Sequence, residues 1–322
     1  MKTHSDQIWI SADREIHIVS QLSQAILNQG YVAAVDPGTN NYGYPYIYKS
    51  NNTIINCRLV DSVFLTDPDI WTRMSPNTVI TDNLPLKPLC GELINLLPEF
   101  WSIWRFDPKY QDRPVSVGFN CFMNRVRGDR SVTFYELIRR DIISQGLVSF
   151  NCSLTEYINQ YQSAELFNYS KEHDIGLGII PYNTVESHGP LEQCIIDSNI
   201  SLILETYISD SHIVFSEKIF RALQLPRPWL LYCSPYSVEW LKHYGFDVLD
   251  DYVDHEYDTV VQHSSRHMLI LDQLETFLTK QYDAKDYIRF FQAADHNQKL
   301  LRQFALDWPE KLNFVLKKIK TL

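Results

Sequence analysis

The chain has 322 residues, of which 45% are apolar and 13% aromatic, with 39 acidic against 29 basic side chains and a formal charge of −10. That apolar content excludes an intrinsically disordered chain and supplies core material for two ordinary domains. The acidic balance excludes a surface-wide attraction to nucleic acid, and no apolar run approaches the length of a membrane span.

The opening segment, MKTHSDQIWIS, lacks the long apolar core of a secretory signal, so a cytoplasmic location is expected. Within it IWIS reads as a short strand and Asp13 as a helix cap, and Gly30 reads as the stop of the helix that follows. YVAAVD is a buried strand that delivers Asp36 to its carboxyl end, before the turn-rich PGTNNYGYP. TIINCRLV, SVFLT and TVITD read as further strands, and CGELINLL reads as a short helix. Strand and helix alternate, which predicts an α/β layer with crossover helices.

Pro108 and Pro114 interrupt the pattern and mark a domain boundary and candidate hinge. Beyond it, VGFNCFM is a strand, RVRGDR a polar loop and VTFYELIRRDIISQG a helix. Thr133 and Glu136 have capping-box spacing, and Gly146 can close the helix in a left-handed conformation. LVSFN, ISLILETY and PWLLYCSP are strands, while SEKIFRALQL and YSVEWLKHYG are helices. The C-terminal stretch is helical: RHMLILDQLETFLTKQY, then two amphipathic segments ending at KKIKTL. The predicted organisation is residues 1–113, 114–284 and 285–322. These form two Rossmann-like α/β domains facing across a cleft, with the last helices returning to the first domain.

The six cysteines are dispersed without a C-x-x-C pair, so reduced, buried thiols are expected rather than a zinc or redox site. Chemistry concentrates elsewhere. Glu217 and Lys218 open a predicted helix, where exposed amides favour an anion and an ammonium adds positive charge. A carboxylate beside them can accept from ribose hydroxyls, so the pair suits a nucleoside diphosphate; a solvated first turn would look the same. Arg125, Arg127 and Arg130 lie between a strand end and a helix start, a place for a diphosphate clamp or for a salt-bridged surface loop. The carboxylates of GFDVLDDYVDHEYD lack compact metal-ligand spacing, so no metal is expected; Asp254, Tyr257 and Asp258 shape the cleft or cap the following helix.

SEKIFRALQLPRPWLLY resembles the donor-site signature of fucosyltransferase-like enzymes, and LILETYISD resembles the L-x-x-E-N-S stretch that precedes it, with Thr206 in place of Asn. FNCFMNRVRGDRSVTFYELIRRDIISQGLVSFN, LKHYGFDVLDDYVDHEYD and Arg266 resemble glycosyltransferases encoded by phages and giant viruses, over roughly residues 115–275. The resemblance implies a GT-B architecture in a host cytoplasm, with a nucleotide-sugar donor, most simply a UDP-sugar, bound by the second domain without a metal or other cofactor. It places Glu217 on the donor ribose, Lys218 near the diphosphate as a catalytic cation, and Glu205, Arg125, Arg127, Arg130, Tyr257 and Asp258 around the donor. Asp36 and Asp13 are candidates for the general base that takes the acceptor's proton, with Glu15 and His17 nearby. The acceptor is a glycan or glycoconjugate, or a hydroxylated or hydroxymethylated pyrimidine in phage DNA. A catalytically silent nucleotide-sugar-binding or assembly module would need the same donor residues.

Overall fold

A computed structural model describes residues 105, 107–111, 113–123, 128–152, 180–183, 191–205, 208, 212–213 and 215–321, and six short strands before residue 100. Those first strands are β1 (Val32–Ala34), β2 (Ile47–Ser50), β3 (Thr53–Asn56), β4 (Thr78–Thr81), β5 (Leu84–Pro85) and β6 (Glu92–Asn95). Five form a mixed sheet in the order β1-β2-β3-β4-β6. Its first two pairings are antiparallel and its last two parallel.

One expectation changes in this unit. CGELINLL holds the strand β6 instead of a helix, because Glu92–Asn95 pairs in parallel register with Thr78–Thr81. A short apolar run fits either state, and pairing with a neighbouring strand decides it. β2 starts at Ile47, just beyond the turn-rich PGTNNYGYP. The SVFLT segment and the first expected helix lie outside the described residues.

The second unit is α/β. Its strands are β7 (Val117–Met123), β8 (Gly146–Cys152), β9 (Ile180–Asn183), β10 (Ser198–Leu204) and β12 (Trp229–Tyr232), ordered β12-β10-β7-β8-β9. The first four of these are mutually parallel and β9 runs antiparallel along the edge. Between β10 and β12 the chain adds β11 (His212–Ile213), which pairs with β5. Every residue of β10 and β12 is buried, which is why β12 reads as an unbroken apolar run and β10 ends in one, Leu202–Leu204.

Among the described residues six helices accompany the sheet: α1 (Gly128–Arg139), α2 (Leu191–Ile196), α3 (Glu217–Leu223), α4 (Ser237–His243), α5 (His263–Phe277) and α6 (Ala284–Thr321). Alternation along β10 divides the core. Ile200, Leu202 and Leu204 face one cluster with Phe134 and Leu137 of α1 and Ile270, Leu271 and Leu274 of α5. Ile203 faces the other, with Ile219 and Phe220 of α3, Leu241 of α4 and Leu301 of α6.

Helix boundaries correct several readings. α1 starts at Gly128, so Gly128, Asp129 and Arg130 are helical and not part of a loop. Thr133 is therefore inside the helix, where its hydroxyl bonds back to the Asp129 carbonyl at 2.8 Å, and is no cap. The helix ends near Arg139, and the left-handed residue beyond it is Asp141 (φ 55°). Gly146 instead opens β8 in extended conformation, directly across from Phe119. A Cβ there would lie 2.4 Å from the Phe119 ring, which has no exposed surface to move into. Gly146→Ala is expected to destabilise the unit by about 1–3 kcal/mol, and adding Phe119→Leu to recover part of the loss. Urea melts of the single and double variants check this; equal stability of Gly146→Ala and wild type would refute it.

The stop after α4 falls where it was expected. Gly245 (φ 90°) donates to the Lys242 carbonyl, and Phe246 donates to that of Leu241. The two expected C-terminal segments are one helix of 38 residues that runs through Pro309. Over the residues whose side chains are described, α6 docks on the second unit and its lead-in. Asn297 reaches the Leu223 and Asp247 carbonyls, and Arg289 pairs with Asp247 and Asp251. Arg302 meets Asp107. Asp107 falls within the segment 1–113 predicted as the first domain, near its end.

Candidate functional site

The sheet reverses its winding between β7 and β10. From β7 the chain steps outward to β8, then returns to place β10 and β12 on the other side. Open α/β sheets bind ligands outside the carboxyl ends of the strands at such a reversal. The residues at that edge are unusually polar for buried positions.

Glu205 follows β10 directly and is 3% exposed. Its carboxylate accepts from the Ser216 amide at 3.0 Å and from the Ser216 hydroxyl at 2.5 Å. Ser216 caps α3, accepting from the Lys218 amide at 3.4 Å. The Lys218 ammonium donates to Ser216 Oγ at 3.0 Å and to Glu217 at 3.1 Å. Side-chain exposure rises from the buried Glu205 to Lys218 (24%) and Glu217 (36%), so the predicted pair opens outward from a buried base. The structure thus brings Glu205, Glu217 and Lys218 together.

On the α1–α5 side, Arg130 is buried in the first turn of α1. The Tyr232 hydroxyl, at the end of β12, lies 3.4 Å from Asp129 Oδ1. His267 stacks on Tyr232 at 4.6 Å, and its Nε2 lies 2.8 Å from the Thr133 hydroxyl. Arg266, fully buried, donates to the carbonyls of Val260 and Val261, and its guanidinium sits 5.8 Å over the Tyr232 ring.

Asp258 caps a helix, but the preceding one: it accepts from the amides of Val238 (2.9 Å) and Glu239 (3.1 Å) at the start of α4. Burial pushes its carboxyl up to about 7, against the pull of those amides and of Arg266. Tyr257 lies beneath β12, its hydroxyl accepting from the Leu231 amide at 3.1 Å and lying 3.1 Å from His255. The Tyr257 phenol is thus buried and engaged with the neighbouring strand β12. Asp254 accepts from the Glu256 amide within the turn. Asp13, Asp36, Arg125 and Arg127 lie outside the described residues.

Cys121, Cys194 and Cys233 are free and buried. Burial pushes the Cys233 thiol up to about 12, aided by the charges of Glu205 and Asp258, so it is a poor nucleophile. Among the described residues no group of His, Cys, Asp and Glu is arranged to hold a metal ion, and no helix is long and apolar enough to cross a membrane. A cleft of about 560 Å3 opens at the opposite edge of the sheet, between the amino ends of β7 and β10 and the 278–282 segment. It contains none of the residues above, and strand direction favours the carboxyl edge.

Sequence reasoning missed Ser216 as the link between Glu205 and Lys218, and missed Asp129, Thr133, Tyr232 and His267. The available signals were a tyrosine ending the apolar run WLLY and Arg-His opening the apolar face of α5. No family model matches the chain, and no curated protein or solved structure matches it.

Proposed function

We propose that this protein is a glycosyltransferase of GT-B type that moves a sugar from a nucleoside diphosphate sugar to a hydroxyl acceptor. The observation that carries the reading is the Glu205–Ser216–Lys218 chain, with Glu217 beside it, at the carboxyl edge of a parallel sheet where its winding reverses. The sequence words around these residues supply the sugar-transfer part. In this reading Glu217 accepts from the donor ribose and Lys218 faces the diphosphate, with Arg130 on the α1 side and Arg125 and Arg127 as further candidate cations. The acceptor oxygen attacks the anomeric carbon, whose bond to the diphosphate oxygen breaks, and the electron pair leaves with the diphosphate. Lys218 stabilises that developing charge. The acceptor's proton passes to a carboxylate of the first domain, Asp36 or Asp13. Tyr257 and Asp258 support the walls of the site without touching the donor.

Calorimetry with UDP and GDP, with and without EDTA, tests the donor site. Binding of one nucleotide that survives chelation is expected, because fixed cationic side chains supply the charge complement. No binding of either would defeat the reading, and loss only after chelation would defeat its metal-independent part. A mass-spectrometric screen of nucleotide sugars against glycans and duplexes carrying hydroxymethylated cytosine separates the two acceptor classes. The charge of −10 disfavours the duplex, where phosphate contacts dominate affinity.

A further inference from the structure

We propose that Glu205 is a positioning residue that aims the Lys218 ammonium through the Ser216 hydroxyl, and does not itself contact the donor; this rests on the reading of the carboxyl edge as the donor site. Both oxygens of the buried Glu205 carboxylate accept from Ser216, one from its amide and one from its hydroxyl. With its proton directed at Glu205, Ser216 Oγ presents lone pairs to Lys218, and it receives both the Lys218 amide and the ammonium. The direction of donation is therefore set from the buried end outward. It fixes where the positive charge stands before any ligand arrives, as preorganised charge stabilisation requires.

Glu205→Gln replaces one acceptor oxygen by an NH2 donor. If that donor faces Ser216 Oγ, the hydroxyl proton must turn outward, toward an ammonium that cannot accept it. If the amide oxygen faces Oγ instead, the Ser216 amide loses its partner. Ser216→Ala removes the intermediary altogether, and Ser216→Thr keeps it.

The test measures acylation of Lys218 by an amine-reactive ester in the ligand-free protein, read by peptide mass spectrometry beside a melting curve. Glu205→Gln and Ser216→Ala should change the Lys218 acylation rate roughly two- to tenfold, the range one hydrogen bond is worth. Ser216→Thr should restore the wild-type rate. Should Glu205→Gln not fold, Ser216→Ala carries the comparison alone. An unchanged rate in folded Ser216→Ala would overturn the proposal, since a merely structural Glu205 would alter the melt and not the lysine. With donor present, kcat should fall more than KM rises. If acylation changes but wild-type protein binds neither UDP nor GDP, the positioning role stands and the donor reading falls.

Discussion

Lys218→Ala is expected to lower turnover roughly ten- to 150-fold while donor affinity changes much less, the effect of losing a charged hydrogen bond worth roughly 1.5–3 kcal/mol. The asymmetry follows from when the interaction matters. The diphosphate gains negative charge as the sugar leaves, so the ammonium contributes more in the transition state than in the bound donor. Glu217→Ala should fail in the opposite way. Its contact with ribose hydroxyls is the same before and during transfer, so donor KM rises and kcat is largely kept. The two side chains also hold one another at 3.1 Å, so removing either takes a partner from the other. Each single variant therefore mixes lost ligand contact with a released partner, and the double variant is needed to separate the terms. Both side chains are partly exposed, so their mutual ion pair adds little to folding. Melting temperatures of the three variants should stay close to wild type. Wild-type kinetics in both single variants would reduce Glu217 and Lys218 to a solvated helix start.

How much of this was legible in the sequence depends on the range of the interaction involved. β12 was legible because a strand buried on both faces leaves an uninterrupted apolar run, β7 and β10 because apolar residues predominate in them, and α4 because Gly245 ends it through local geometry. The S-E-K word marked the start of α3, since an N-cap is written into three neighbouring residues. Local words also misled. Thr133 and Glu136 have the spacing of a cap yet lie inside α1, because the turn that begins it starts five residues earlier at Gly128. Gly146 looked like a helix terminator and is a strand residue kept small by Phe119. The site itself required topology. Glu205 meets Ser216 across eleven positions, Asp258 caps a helix twenty positions behind it, and His267 reaches Thr133 across 134. Such pairs exist only once β10, β12 and α5 are in place, and no single window of sequence contains them.

His267→Gln is expected to remove about 3 kcal/mol of acid-induced destabilisation between pH 6.5 and pH 4. Burial drives the His267 imidazole down to about 4 from its ordinary 6.5, with Arg140 and Arg266 pushing the same way and Glu136 opposing them. The ring is 4% exposed, stacked on Tyr232 and bonded to Thr133, so the folded protein holds it neutral. In the unfolded chain the same ring takes up its proton near pH 6.5. Between those values the unfolded state binds more protons, and stability falls as the pH is lowered. Above pH 6.5 neither state is protonated and the contribution is constant. The shift spans about 2.5 pKa units, which corresponds to about 3 kcal/mol when fully expressed. Asp258 works with the opposite sign. Its raised carboxyl keeps a proton that the unfolded chain has lost, so its contribution weakens as the pH rises from about 4 towards 7. The wild-type profile is therefore the difference of two opposed slopes, and only a variant isolates one of them. Glutamine can still meet the Thr133 hydroxyl but has no proton to gain in this range. Urea denaturation across the pH series should show the stability of His267→Gln rising by about 3 kcal/mol relative to wild type as the pH is lowered from 6.5 to 4. Parallel profiles for the two proteins would mean that His267 is not held neutral in the folded state.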